Sequence, residues 1–191
     1  GTRAALVGAA REVFAERGLQ APLYDVARRA GVGQGSLYRH FPDRAALVLA
    51  VFEENVSQLE EVAARPGTSL DDLLAVVTEL AEHSSAFMDA VASGDVDGRL
   101  VDLDRRMREL LERPVAEARD AGALAADVTA DDVMLALLML SGALGRVPAE
   151  DRPGTSRRIW ALVRRAWAPG ARPSASPSGE PEDGPPGRPV G

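Results

Sequence analysis

Between residues 22 and 41, proline and glycine cut the chain into short helical pieces, and this stretch constrains the architecture more than any other. Pro22 suits the first turn of a helix, Leu23, Val26 and Ala27 follow at helical spacing, and Gly31 suits a C-cap, so the piece has barely two turns. A tight turn from Gly31 to Gly33 leads into Gln34–His40, a second short helix whose Leu37 and the following Phe41 point inward. Short helix, glycine turn and short helix is the helix-turn-helix pattern. Longer helices frame it. Leu6, Ala10, Val13 and Phe14 form one apolar face ahead of Gly18, and Asp43 caps a helix carrying Leu47, Val51, Phe52, Val56 and Leu59 as far as Pro66-Gly67.

Beyond Gly67 the chain reads as helices throughout. Ser69 with Asp72 makes a capping-box-like start for a helix with Leu73, Leu74, Val77 and Leu80, which runs on, with a break near Ser84-Ser85, through Phe87 and Met88 to Gly94. Gly94 to Gly98 is a turn-rich link whose two Asp lack the spacing of a calcium loop. Arg99 to Ala121 turns Leu103, Met107, Leu110 and Leu111 inward and is kinked at Pro114. Thr129 with Asp132 opens a helix that is apolar nearly all round, and Thr155 or Ser156 starts the last helix, which carries Ile159, Trp160, Val163 and Trp167. The expected fold is all-α, with about nine helices. Its expected parts are a three-helix head over 1–47, a helical sensing and dimerisation domain over 48–168, and a tail over 169–191. Seven Pro and five Gly among those last 23 residues, without a Leu, Ile or aromatic, predict disorder there.

Composition removes several classes of function. The chain has no Cys, which excludes disulfides, thiolate zinc sites, iron–sulfur ligation and cysteine nucleophiles together. With only His40 and His83, and no phosphate-loop or hydrolase motif, an enzyme is not expected, nor a cofactor or a metal. No apolar run reaches the roughly 20 residues of a membrane span, and Arg and Glu interrupt the first 18 residues in a way unlike a signal peptide, so the cytoplasm is the expected compartment. The net charge of −7 is unevenly spread. Residues 1–47 hold seven Arg against four acids, whereas the remainder holds 15 Arg against 25 acids. A mildly basic head on an acidic body suits an encounter with DNA, head first.

The stretch from Asp25 to Arg44, DVARRAGVGQGSLYRHFPDR, followed by Leu47, resembles the signature of the tetracycline-repressor-like (TetR-like) transcriptional regulators, and the resemblance reaches back through Ala9-Ala10, Phe14 and Gly18. It covers roughly the first 50 residues. A recognition helix needs a narrow polar face to enter the major groove, and Gln34, Gly35, Ser36 and Arg39 supply one. Gln34 can pair with adenine, Arg39 with guanine or a phosphate, and Gly35 lets the backbones approach. The resemblance implies phosphate contacts from Tyr38, His40 and Arg44; packing or capping the short helix is the lesser alternative for Tyr38 and His40. Two positions depart from the family pattern. Ala21-Pro22 stands where Thr or Ser usually caps the second helix, and Gly33 replaces a frequent Ser. Tyr24 stands where a polar or basic side chain often meets DNA, and is expected to contribute a backbone contact.

The resemblance further implies a homodimer in which the last two long helices pair with their symmetry mates, here through Leu137, Leu138, Ser141, Ile159, Trp160, Val163 and Trp167. Two heads would then address a pseudo-palindromic double-stranded operator. A small-molecule effector, hydrophobic or aromatic in character, would sit in the body, with His83, Phe87, Met88, Met107 and Met134 as candidate lining. Those residues also fit plain core. The expected function is a sequence-specific transcriptional regulator, a repressor released by that effector; the alternative is a DNA-binding regulator that senses no small molecule and acts constitutively or through a protein partner.

Overall fold

The computed structural model describes residues 1–83 and 99–170. Among these residues the protein is all-α, with eight α-helices, one 3₁₀ turn and no strand. In chain order the helices are α1 (Thr2–Arg17), α2 (Leu23–Arg29), α3 (Gln34–His40), α4 (Arg44–Ala63), α5 (Leu70–His83), α6 (Arg99–Asp120), α7 (Ala130–Leu144) and α8 (Arg152–Trp167). The expected run through Phe87 and Met88 to Gly94, and the tail beyond residue 170, lie outside the described residues.

Local chemistry sets most of the boundaries. Asp43 accepts a hydrogen bond from the Ala46 N–H at 2.7 Å and so starts α4. At α7, Thr129 and Asp132 form a reciprocal capping box, which satisfies two of the amides a helix start leaves orphaned. Ser69 and Asp72 do the same for α5, and that hydrogen bonding holds the Asp72 carboxyl below its ordinary range. The last helix begins earlier than expected, at Arg152 and not at Thr155 or Ser156. Pro153 tolerates the first turn because no donor is needed there, and Ser156 serves another purpose: its buried hydroxyl bonds the Glu82 carboxylate, tying α8 to α5. Pro114 does not end α6, which continues to Asp120.

Two apolar cores result. The first gathers Leu6, Ala10, Val13 and Phe14 of α1, Val26 of α2, Leu37 and Phe41 around α3, and Leu47 to Val56 of α4. It is closed by Leu103 from α6, so a residue of the body completes the core of the head. The second joins Leu70 and Leu74 of α5 to Leu111 and Val115 of α6 and to Val133 and Leu137 of α7, with Trp160 and Trp167 of α8 packed on it. Met107 touches both. Beside it, Arg106 reaches α4 with Nε on one Glu60 oxygen at 2.9 Å and Nη2 on the other at 2.7 Å. This two-point ion pair lowers the Glu60 pKa from its ordinary value. Helix α4 is therefore shared, its first half in the head and its last turns clamped to the body.

Candidate nucleic-acid interface

The helix pair α2–α3 is held from behind and open in front. Gly31, at φ 69, ends α2 in the left-handed conformation that favours glycine, with the Val32 N–H donating to the Ala27 carbonyl at 3.0 Å and the Gly31 N–H to Arg28 at 3.1 Å. That double closure is a Schellman motif, and it fixes the angle at which α3 leaves. Helix α3 then starts on Gly33 without a side-chain cap. Its anchor is Leu37, fully buried, backed by Phe41, whose N–H closes the last turn on the Leu37 carbonyl at 2.8 Å. The side of α3 turned away from Leu37 and Phe41 faces out.

On that outer side Gln34, Gly35, Arg39 and His40 are exposed, Tyr38 is 49% exposed and Ser36 is half-buried. A Cβ placed on Gly35 would meet nothing within 4 Å, so the interior does not demand glycine there. What glycine preserves is room on the outer face. Tyr24, 54% exposed, stands at the start of α2 with the Arg28 guanidinium 5.7 Å from its ring centroid.

Most of the head's positive charge is already spent inside the head or on α4. Arg17 and Arg28 flank Asp25 at 2.7 and 2.9 Å, and Arg29 joins Glu12 and Glu16, each at 2.8 Å, which locks α2 onto α1. The Glu16 carboxyl is lowered by the hydrogen bond from Arg29, whose own pKa is raised in turn. Arg3 and Arg11 face Glu53 and Glu54 of α4 at 3.6 and 3.4 Å. Arg44, which the resemblance places on a phosphate, is half-buried and directs Nη1 to the backbone carbonyls of Leu19 and Ala21. Among the seven arginines of residues 1–47, Arg39 is the one with no carboxylate or carbonyl partner among the described residues, and it lies on the outer face of α3.

The remaining expected site residues scatter. His83 is exposed at the end of α5, with Nδ1 2.8 Å from the Glu79 carbonyl, while Phe87 and Met88 lie outside the described residues. Met107 and Met134 are half-buried against the cores. An open groove of about 790 Å³ at the junction of head and body is lined instead by Arg3, His40, Glu53, Ser57 and Arg106 among others. For the expected dimer face, Leu137 is buried in the body core, while Trp160 and Trp167 are half-buried and pack against it, and the Trp160 indole N–H donates to Thr78 Oγ1 at 2.7 Å. Ser141, Ile159 and Val163 are half-buried. Leu138 is exposed, and with it Leu135 and Met139 on the same side of α7 and Leu162 on α8, three residues outside the expected dimer face. Because α7 is apolar nearly all round, no polar stripe marks which side turns to the core. Among the described residues no group of His, Asp and Glu is placed to hold a metal, and no helix is long and apolar enough to cross a membrane.

Residues 6–51 match the family model for bacterial regulatory proteins of the tetR family. Over 73 residues the chain is 37% identical to the probable HTH-type transcriptional regulator ArpR of Pseudomonas putida, which takes in 38% of this chain and 34% of that protein. Over 58 residues it is 45% identical to the HTH-type transcriptional activator FasR of Mycolicibacterium smegmatis, 30% of this chain and 26% of the other. These stretches span about a third or less of the curated relatives' length. The fold extends much further: a crystal structure of a TetR transcriptional regulator from Streptomyces coelicolor, 28% identical, superposes with a TM-score of 0.63 over 88% of this chain and 99% of that one.

Proposed function

Starting from a chain that is TetR-like in the sequence of its head and in its fold as a whole, we propose that this protein is a sequence-specific regulator of transcription that binds double-stranded DNA as a homodimer. The observation that carries the reading is the outer face of α3: Gln34, Gly35, Ser36, Tyr38, Arg39 and His40 on a helix braced by Leu37, with Arg39 the one uncommitted arginine of the head. Gln34 and Arg39 read base edges, while Tyr38, His40 and Tyr24 contribute contacts to the flanking backbone. The second copy covers the apolar side formed by Leu135, Leu138, Met139 and Leu162 and sets the two recognition helices about one DNA turn apart on a pseudo-palindromic operator. The regulator works in the cytoplasm, where such an operator lies.

The finer reading is a repressor released by an apolar or aromatic small molecule. It is supported by the layout: a body whose Met107 touches both cores, so that a ligand displacing α6 bears directly on α4 and the head. Selection from random duplexes, followed by fluorescence anisotropy at stated salt, tests the first part. The expected result is a two-fold-related motif bound at least about 10³-fold more tightly than scrambled DNA. Binding without sequence preference defeats it. A ligand screen scored by weakening of that complex tests the second part; a complex indifferent to every ligand that raises the melting temperature of the free protein defeats effector release while leaving the regulator in place.

A further inference from the structure

The arginine at the start of α4 is placed where the resemblance expects a phosphate contact, and its hydrogen bonds run the other way. Arg44 is the first residue of α4, half-buried, with Nη1 donating to the Ala21 carbonyl at 2.6 Å and to the carbonyl of Leu19. One guanidinium nitrogen carries two hydrogens, so these two acceptors use both. The carbonyls belong to the five-residue link that turns α1 into α2. That link starts at Gly18, in the left-handed region at φ 78, and ends on Pro22, the N-cap of α2, which has no side-chain oxygen to cap the helix. Ala21 is buried at 4% exposure, where an unpaired carbonyl would cost a full desolvation penalty. The link thus lacks a side-chain grip of its own, and an arginine 23 residues further along the chain supplies one.

We infer that Arg44 is a positioning residue: it holds the link that aims α2 and α3, and it is not among the groups that neutralise phosphate. Because α2 and α3 are joined by the Schellman closure at Gly31, fixing the entry to α2 fixes the tilt of the recognition helix. Arg44 also makes α4 the frame of that tilt, and α4 is clamped at its far end by Arg106. The part of this inference that concerns recognition rests on the DNA-binding reading above; the grip itself does not.

The test compares the full chain with Arg44→Met, which keeps a stem and removes charge and donors, and with Arg44→Lys, which keeps the charge on a shorter arm. In the free protein, hydrogen exchange of amides in 18–29 should quicken by about tenfold or more in Arg44→Met and by less in Arg44→Lys. On DNA, Arg44→Met should lose about tenfold or more of the preference for the selected duplex over a scrambled one, with the slope of log affinity against log salt unchanged. A slope reduced by about 0.9, with exchange and preference as in the wild type, would make Arg44 a phosphate ligand and overturn the inference. Unchanged exchange in Arg44→Met overturns it as well. Should the methionine variant not fold, the lysine variant carries the same readouts. A wild-type chain that prefers no duplex defeats the regulator reading and the recognition half of this one, and the exchange measurement then decides the grip alone.

Discussion

The head and the body leave opposite kinds of surface uncovered. In the head the apolar residues are used up: Leu6, Val26, Leu37 and Leu47 are fully buried, and what stays outside is Tyr24, Gln34, Tyr38, Arg39 and His40, all able to hydrogen-bond. In the body α7 has more apolar residues than its own core can cover, and Leu135, Leu138, Met139 and Leu162 remain more than half exposed. A surface of aromatic and polar groups loses little by staying wet until a polar partner arrives, whereas leucine surface loses about 25 cal/mol for every Å² left in water. Among the described residues, the head has covered its large aliphatic side chains and the body has not.

The largest expected effect is on the body's surface. Leu138→Arg puts an unpaired charge, twice over, into the proposed dimer contact, and sedimentation should report a dissociation constant raised on the order of 10³-fold, about 4 kcal/mol. An unchanged constant would show that this side of α7 is free and would erase the contrast. Next comes the seam. Leu103→Ala empties a buried site in the head's core from the body's side, and calorimetry should show a loss of about 2–5 kcal/mol within one transition. Two resolved transitions, with the head melting alone, would mean that the cores are less joined than Leu103 and Met107 imply.

On the head's surface the effects are smaller and confined to DNA. Arg39→Ala should cost about 1–3 kcal/mol of sequence discrimination and leave the melting temperature unmoved. Gly35→Ala sharpens the point, because no atom stands within 4 Å of the added Cβ. Stability should rise by about 0.5–1 kcal/mol while operator affinity falls, and a variant that keeps full affinity would show that nothing approaches this face closely.

The smallest effect concerns the clamp between the two parts. With its pKa lowered by Arg106, the Glu60 carboxylate contributes stability above the ordinary glutamate value, and that contribution disappears as pH falls through the lowered one. Both partners are partly solvent-exposed, so less than about 1 kcal/mol is at stake. Glu60→Gln should therefore lower stability slightly near neutral pH and flatten the acid limb of a stability–pH profile; an acid limb identical to the wild type would mean that the pair is no clamp.

Much of the head was legible because its signals are local. Gly31, Pro22 and Asp43 act on their own neighbours, and Leu37 and Phe41 are placed by helical period alone. Partners far apart in sequence were not legible. Arg44 reads as one more basic residue until the 18–22 link is seen to fold beside it, and Leu103 reads as body core until α6 is seen against α4. The start of α8, at Arg152, is hidden in the sequence for the same reason: Ser156 looks like a cap, and its actual partner, Glu82, is 74 residues away.

By itself the sequence determined that the described residues are helical, where the turns of the head fall, and which short helix presents a polar face, since these follow from hydrophobic period, capping oxygens and glycine's access to positive φ. Tertiary structure alone decided which of the head's seven arginines are spent and that Arg39 is left over, and which side of α7 turns outward. Charges are paired and apolar sides are covered by whatever the fold brings near, and no periodicity records that.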